Sequence, residues 1–123
     1  MKKAKVISEI AQRIRAGYKP EKIVLYGSYA NGKSTKDSDI DILVVKKTNA
    51  SSMNRYLKVR RLLRELESLE RHIDISPIIR TPKEIKKRIE MGDDFIKDIL
   101  ASGIVLYDKK ENRISRRMVY QRH

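Results

Sequence analysis

Two stretches, Ile23-Val24-Leu25-Tyr26-Gly27-Ser28 and, ten residues further on, Asp39-Ile40-Asp41-Ile42-Leu43-Val44-Val45, decide how this chain is read. The first is a short apolar strand running into a Gly-Ser turn. The second is a strand with carboxylates at alternate positions. Residues i and i+2 of a strand point to the same face, so Asp39 and Asp41 stand side by side, roughly 6.5–7 Å apart along the backbone. Two like charges held that close raise each other's pKa unless a cation lies between them. Hard divalent ions such as Mg²⁺ take carboxylate oxygens and leave positions open for phosphate. Gly27-Ser28 adds a tight turn of exposed backbone N–H groups and a hydroxyl, which is what a triphosphate beside that ion needs. A Gly-Ser turn or an Asp-x-Asp alone carries little information. Joined at this spacing, they point to phosphoryl-type chemistry on a nucleotide.

The same residues resemble the signature of the polymerase-β-type nucleotidyltransferase superfamily, in its minimal branch. Tyr29-Ala30-Asn31-Gly32 and Ser38-Asp39-Ile40-Asp41-Ile42 also resemble that branch, although Asn31 stands where many relatives carry Arg. The family pattern requires a third carboxylate on a neighbouring strand. Asp74 in His72-Ile73-Asp74-Ile75-Ser76 fits, because alternation puts His72, Asp74 and Ser76 on one face and Ile73 and Ile75 on the other. The resemblance spans roughly residues 20–80. It implies an α/β (α+β) fold with a small mixed sheet carrying all three Asp residues on neighbouring strands.

The chemistry expected is nucleotidyl transfer. An acceptor hydroxyl attacks the α-phosphorus of ATP in line, and pyrophosphate leaves. Two Mg²⁺ ions, roughly 3.5–4 Å apart in such sites, are expected on Asp39, Asp41 and Asp74, the last also orienting or receiving the hydroxyl proton. Gly27 and Ser28 are expected to hold the β- and γ-phosphates. Lys33 and Lys36 read as solvated loop lysines, and a lone His72 at a strand start reads as structural. Tyr26 and Tyr29 flank the turn and could stack on a base, although Tyr in or beside a strand is usually packing.

Larger relatives add a helical domain that positions the acceptor. After residue 80 this sequence offers two short helices and a tail, so orientation is expected from a partner. The minimal branch is typically encoded beside a small helical HEPN protein, an RNase toxin. The resemblance implies an antitoxin that adenylylates a tyrosine of that toxin. Two alternatives stay open: transfer to a small-molecule or RNA hydroxyl, and a non-catalytic antitoxin that masks its partner sterically.

Composition sets the bounds. At 123 residues, with 40% hydrophobic and 37% charged residues, the sequence suits one compact domain. There is no Cys, hence no disulfide framework and no thiol nucleophile. No apolar stretch approaches the ~18 residues of a membrane span, and the basic N-terminus leads into an amphipathic pattern rather than a signal core. Cytoplasm is the default. A net charge of +13, from 29 basic against 16 acidic residues, attracts polyanions or an acidic partner. A heat-adapted surface produces the same excess, so charge leaves direct nucleic-acid binding even.

The order of elements follows from periodicity. Val6, Ile7, Ile10 and Ile14 recur at helical spacing and predict an opening helix ending near Gly17. Strands are predicted at 23–26, 39–45, 72–79 and 104–107, with a helical turn at 28–32. Tyr56, Val59, Leu62, Leu63, Leu66 and Leu69 predict a long helix from Met53 packed on the sheet. Its row of Arg55, Lys58, Arg60, Arg61 and Arg64 reads as a solvated face partly paired with Glu65, Glu67 and Glu70. Thr81-Pro82-Lys83-Glu84 reads as a capping box opening a helix that ends near Gly92. A further short helix is predicted at 94–101. The domain is expected to span 1–108, with a basic tail over 109–123 that is flexible or ordered by a partner.

Overall fold

The computed structural model describes residues 2–70 and 72–111, together with the backbone of Arg113–Ile114. The elements in chain order are α1 (Lys3–Tyr18), β1 (Lys22–Tyr26), α2 (Ser28–Asn31), β2 (Ile40–Val45), α3 (Ser52–Leu69), β3 (Ile75–Arg80), α4 (Pro82–Glu90), α5 (Asp94–Ser102), β4 (Ile104–Asp108) and β5 (Arg113–Ile114). The strands form one sheet in the order β3-β2-β1-β4-β5. Only β2 and β3 run parallel, joined by α3; the other pairs are antiparallel. This is the mixed α/β sheet expected from the sequence. The two-residue β5 extends it past residue 108, and residues 112 and 115–123 of the expected tail lie outside the described residues.

Alternation along the strands sorts the core into two layers. Ile23, Leu25, Ile40, Ile42, Val44 and Ile75 face α1 and α3, where they meet Ile10, Ile14, Val59, Leu63 and Leu66. Val24, Leu43 and Val45 face the other way, against Ile85 of α4 and Ile96 and Ile99 of α5. Strand β2 is covered on both faces beyond Asp41, which is why its sequence is a continuous apolar run rather than an alternation. β3 is the edge strand, where the missing N–H of Pro77 is tolerated.

Three local readings change. The opening helix passes Gly17 and ends at Tyr18, with Lys19 in the left-handed region at φ 52°. Gly17 is instead a contact position, since a Cβ there would collide with the Leu62 methyls of α3. In α3 the stripe is rotated: Val59, Leu63 and Leu66 are buried, whereas Tyr56 and Leu69 are exposed. Arg55 takes the vacated place and is buried, correcting its assignment to the solvated row. Its Nε donates to Ala50 O at 2.8 Å and its guanidinium to Glu84 Oε1 at 2.7 Å. The same Glu84 oxygen accepts the Thr81 N–H, completing the expected capping box. A buried guanidinium needs such partners, and here they tie the start of α3 to the start of α4. Elsewhere in the row Arg60 pairs with Glu67, as expected, and also donates to Ile75 O at the β3 edge.

Candidate active site

The ends of β1, β2 and β3 bring one residue of the signature, Asp41, into line with side chains of both neighbouring strands. Tyr26 lies opposite Asp41 in the antiparallel β1–β2 ladder, and Asp41 lies opposite Ser76 in the parallel β2–β3 ladder. Tyr26, Asp41 and Ser76 therefore form a row across three strands, on the side of α5. One pleat outward, the N–H of Ile40 donates to Asp74 O at 2.8 Å. This bond continues the parallel pairing one residue past the strand ends, so Asp39 and Asp74 immediately precede the paired Ile40 and Ile75.

Two predicted boundaries shift here. Asp39 and Asp74 each precede the strand they were assigned to, since β2 begins at Ile40 and β3 at Ile75. Both are exposed, while Asp41 is half-buried. Among the described residues, no group of three His, Asp or Glu side chains is gathered to hold a metal ion.

Asp41 is the perturbed group. Burial pushes its carboxyl above the ordinary Asp range, and the neighbouring Asp39 charge pushes it further. Burial likewise raises the Tyr26 hydroxyl, the Asp41 charge adds to that, and Arg80 partly offsets it. Such a pair is a destabilising arrangement that a bound cation would reverse, and its hard oxygen donors suit Mg²⁺.

Gly27 makes the turn possible. Its φ of 75° and ψ of −153° are open to glycine and costly for other residues. A Cβ on it would also strike Asp41 Oδ2. The backbone of Gly27 thus passes directly against the carboxylate, which brings the start of α2 to the same place. In that one-turn helix Ala30 and Asn31 N–H return to Gly27 O. The leading N–H groups of a helix, here those of Ser28 and Tyr29, have no acceptor within it.

The loop between turn and carboxylates holds itself. Ser38 Oγ accepts the Thr35 N–H at 2.8 Å, and Thr35 Oγ1 accepts the Asp37 N–H at 3.3 Å. Asn31 Oδ1 accepts the Lys33 N–H at 3.0 Å, so its side chain serves the loop. Tyr29 packs against the α1–α3 core, with Lys3 Nζ 5.7 Å from its ring centre. His72 is exposed. The sequence reading passed over Phe95, whose ring meets Tyr26 edge-on at 5.8 Å. A lone aromatic in a helix gives no sign of its neighbours.

Two concave parts of the surface lie apart from the carboxylates. A cavity of about 630 Å³ is lined by Arg80, Lys87, Arg88 and the 91–93 turn. A more apolar one of about 890 Å³ sits at the far end of the sheet, beside Lys22, Val45, Ile85 and Leu100.

A mixed sheet with a Gly-Ser turn set against paired carboxylates defines a nucleotidyltransferase. The chain belongs to the polymerase β nucleotidyltransferase family, whose model matches residues 6–112. It is 35% identical, over 94 residues, to a protein of Methanocaldococcus jannaschii named as a protein adenylyltransferase; the match covers 70% of this chain and 93% of that one. A second so named from the same organism is 32% identical over 109 residues, covering 87% of this chain and all of the other. Two solved structures share the fold. One is a nucleotidyltransferase from Sulfolobus solfataricus, at 22% identity and a TM-score of 0.62, covering 92% of this chain and 86% of that one. The other belongs to a toxin–antitoxin complex with AMP-PNP, at 20% identity and a TM-score of 0.52, covering 85% and 74%. Among the described residues no helix is long and apolar enough to cross a membrane.

Proposed function

We propose that this protein transfers AMP from ATP to a tyrosine hydroxyl of a HEPN-type toxin, acting as the antitoxin of the pair in the cytoplasm. The observation that carries the reading is Asp41: half-buried, raised in pKa by burial and by Asp39, and pressed against the backbone of Gly27. A fold with no use for that arrangement would be steadier without it. The names of the M. jannaschii relatives point to a protein acceptor, and the complex with AMP-PNP points to an adenine nucleotide and a toxin partner.

In this mechanism Asp39, Asp41 and Asp74 would hold two Mg²⁺ ions, which would neutralise phosphate charge and lower the pKa of the attacking hydroxyl. Asp39 and Asp41 would orient the triphosphate only through those ions, while Ser28 and the N–H groups after Gly27 hold its β- and γ-phosphates. Asp74 accepts the proton of the incoming hydroxyl. The new bond joins that oxygen to the α-phosphorus, the bond to the bridging oxygen breaks, and pyrophosphate leaves. The AMP left on the toxin adds bulk and negative charge where an RNase binds RNA phosphate, which accounts for inactivation.

The test is incubation with α-labelled ATP, Mg²⁺ and the protein encoded beside this one, followed by mapping of the labelled residue. Label on a partner tyrosine, lost with Asp39→Asn or Asp41→Asn, is the expected result. A tight complex without label would replace the reading with steric masking. Label on a small molecule or RNA would replace the acceptor.

A further inference from the structure

We infer that Phe95, braced by the edge-on ring of Tyr26, is the platform on which the base of the bound nucleotide stacks. The inference rests on the proposed nucleotide site and adds to it the recognition of the base. Phe95 is the only phenylalanine in the chain, and it is 56% exposed at the start of α5. Its place is fixed. Ile96 and Ile99 anchor α5 in the core, and Asp93 Oδ1 accepts the Phe95 N–H at 3.0 Å. Asp93 is held in turn by Arg88 at 3.1 Å. A ring preset on a rigid helix loses little freedom when something stacks on it.

The position suits a nucleotide whose phosphates lie at the carboxylates. Tyr26 faces Asp41 directly across the ladder, where side chains are about 4.5–5.5 Å apart at Cβ. The Phe95 ring lies 5.8 Å beyond Tyr26, at 86° to it. The two rings thus line a path leading from the carboxylate row to α5. Because they meet at right angles, the Tyr26 ring does not cover the face of Phe95. Its immediate neighbours Asp94, Lys97 and Asp98 are polar and exposed, and the exposed Met91 lines the separate Arg80–Arg88 cavity. An exposed ring flanked by Asp94, Lys97 and Asp98 fits a flat aromatic ligand better than the broad apolar patch of a protein partner.

The experiment is Mg²⁺-dependent binding of AMP-PNP, measured by calorimetry on wild type and Phe95→Ala, with Phe95→Trp as an optical probe. The chain has no tryptophan, so the introduced indole reports alone. Loss of a base stack is expected to weaken AMP-PNP binding about tenfold in Phe95→Ala, with the melting temperature held. Phe95→Trp is expected to retain binding, its emission quenched by AMP-PNP and unchanged by tripolyphosphate, which has the charge without the base. Equal affinity of Phe95→Ala and wild type, or an indole indifferent to AMP-PNP, would overturn the platform while leaving the nucleotide site intact. Normal AMP-PNP binding with lost transfer to a protein acceptor would assign the ring to the acceptor and also overturn it. A wild type that binds no AMP-PNP would remove the proposed function itself, and the platform with it.

Discussion

Replacing Asp41 by Asn should abolish transfer and at the same time make the metal-free protein more stable. Asp41 has Asp39 two residues away, about 6.6 Å at the usual strand rise. At that separation two unit charges repel by about 0.6 kcal/mol in bulk water and about 2.5 kcal/mol at an effective dielectric of 20. Asp39 is exposed and Asp41 half-buried, so the lower half of that interval applies, about 1 kcal/mol. For a domain of this size that is a rise of about 4 °C in melting temperature. The pH dependence has a definite sign. A raised carboxyl pKa means that the folded state binds the proton more tightly than the unfolded chain. The wild type therefore loses stability as pH climbs from the ordinary Asp value of about 3.9 through the raised one. The advantage of Asp41→Asn should be small at acid pH and fully developed at neutral pH. Thermal melts in EDTA across that range measure it. Adding Mg²⁺ and AMP-PNP should stabilise wild type and leave the variant unmoved. A variant that melts at or below wild type in EDTA at neutral pH would refute the reasoning.

Gly27→Ala forces a positive φ on a residue with a Cβ and drives that Cβ into Asp41, so it should cost about 1–2 kcal/mol in urea unfolding and remove transfer. Glu84→Gln leaves the buried Arg55 without its anion and should cost about 1–2 kcal/mol. Burial opposes the Glu84 charge, but hydrogen bonds from Thr81 and Arg55 outweigh it and hold the pKa below the ordinary value. That stability is present above about pH 4.3 and lost as pH falls through the lowered pKa, so the acid limb of the wild-type profile should be steeper than the variant's. Asp74→Asn should lower kcat at least about a hundredfold if it removes proton acceptance, with the affinity for AMP-PNP nearly kept. Equal losses in both quantities would place Asp74 in nucleotide binding instead.

How much of this was legible before the coordinates depends on the range of the signal. The Thr81–Glu84 capping box, the strands around Gly27 and Asp41, and the alternation that buries Ile73 and Ile75 while leaving Asp74 outside are local patterns, and they read correctly. The rotation of α3 was not legible. Arg55 looks like one more surface arginine until the fold brings Glu84 to it from 29 residues away. Gly17 looked like a helix stop because nothing in its neighbourhood announces Leu62. Strand starts at Ile40 and Ile75, one residue past Asp39 and Asp74, follow from where the parallel ladder begins, which neither segment encodes alone. Phe95 was invisible for the same reason, since only α5 docking on β1 sets it against Tyr26.

Parallel incubations with ATP labelled on the α- or the γ-phosphate, each with wild type and with Asp41→Asn, test the central claim most directly. Nucleotidyl transfer requires the α-label to become covalently attached to the acceptor and the γ-label to leave in pyrophosphate, with both signals gone in the variant. Attachment of the γ-label, or an α-label signal that survives the loss of the Asp41 charge, would contradict the account.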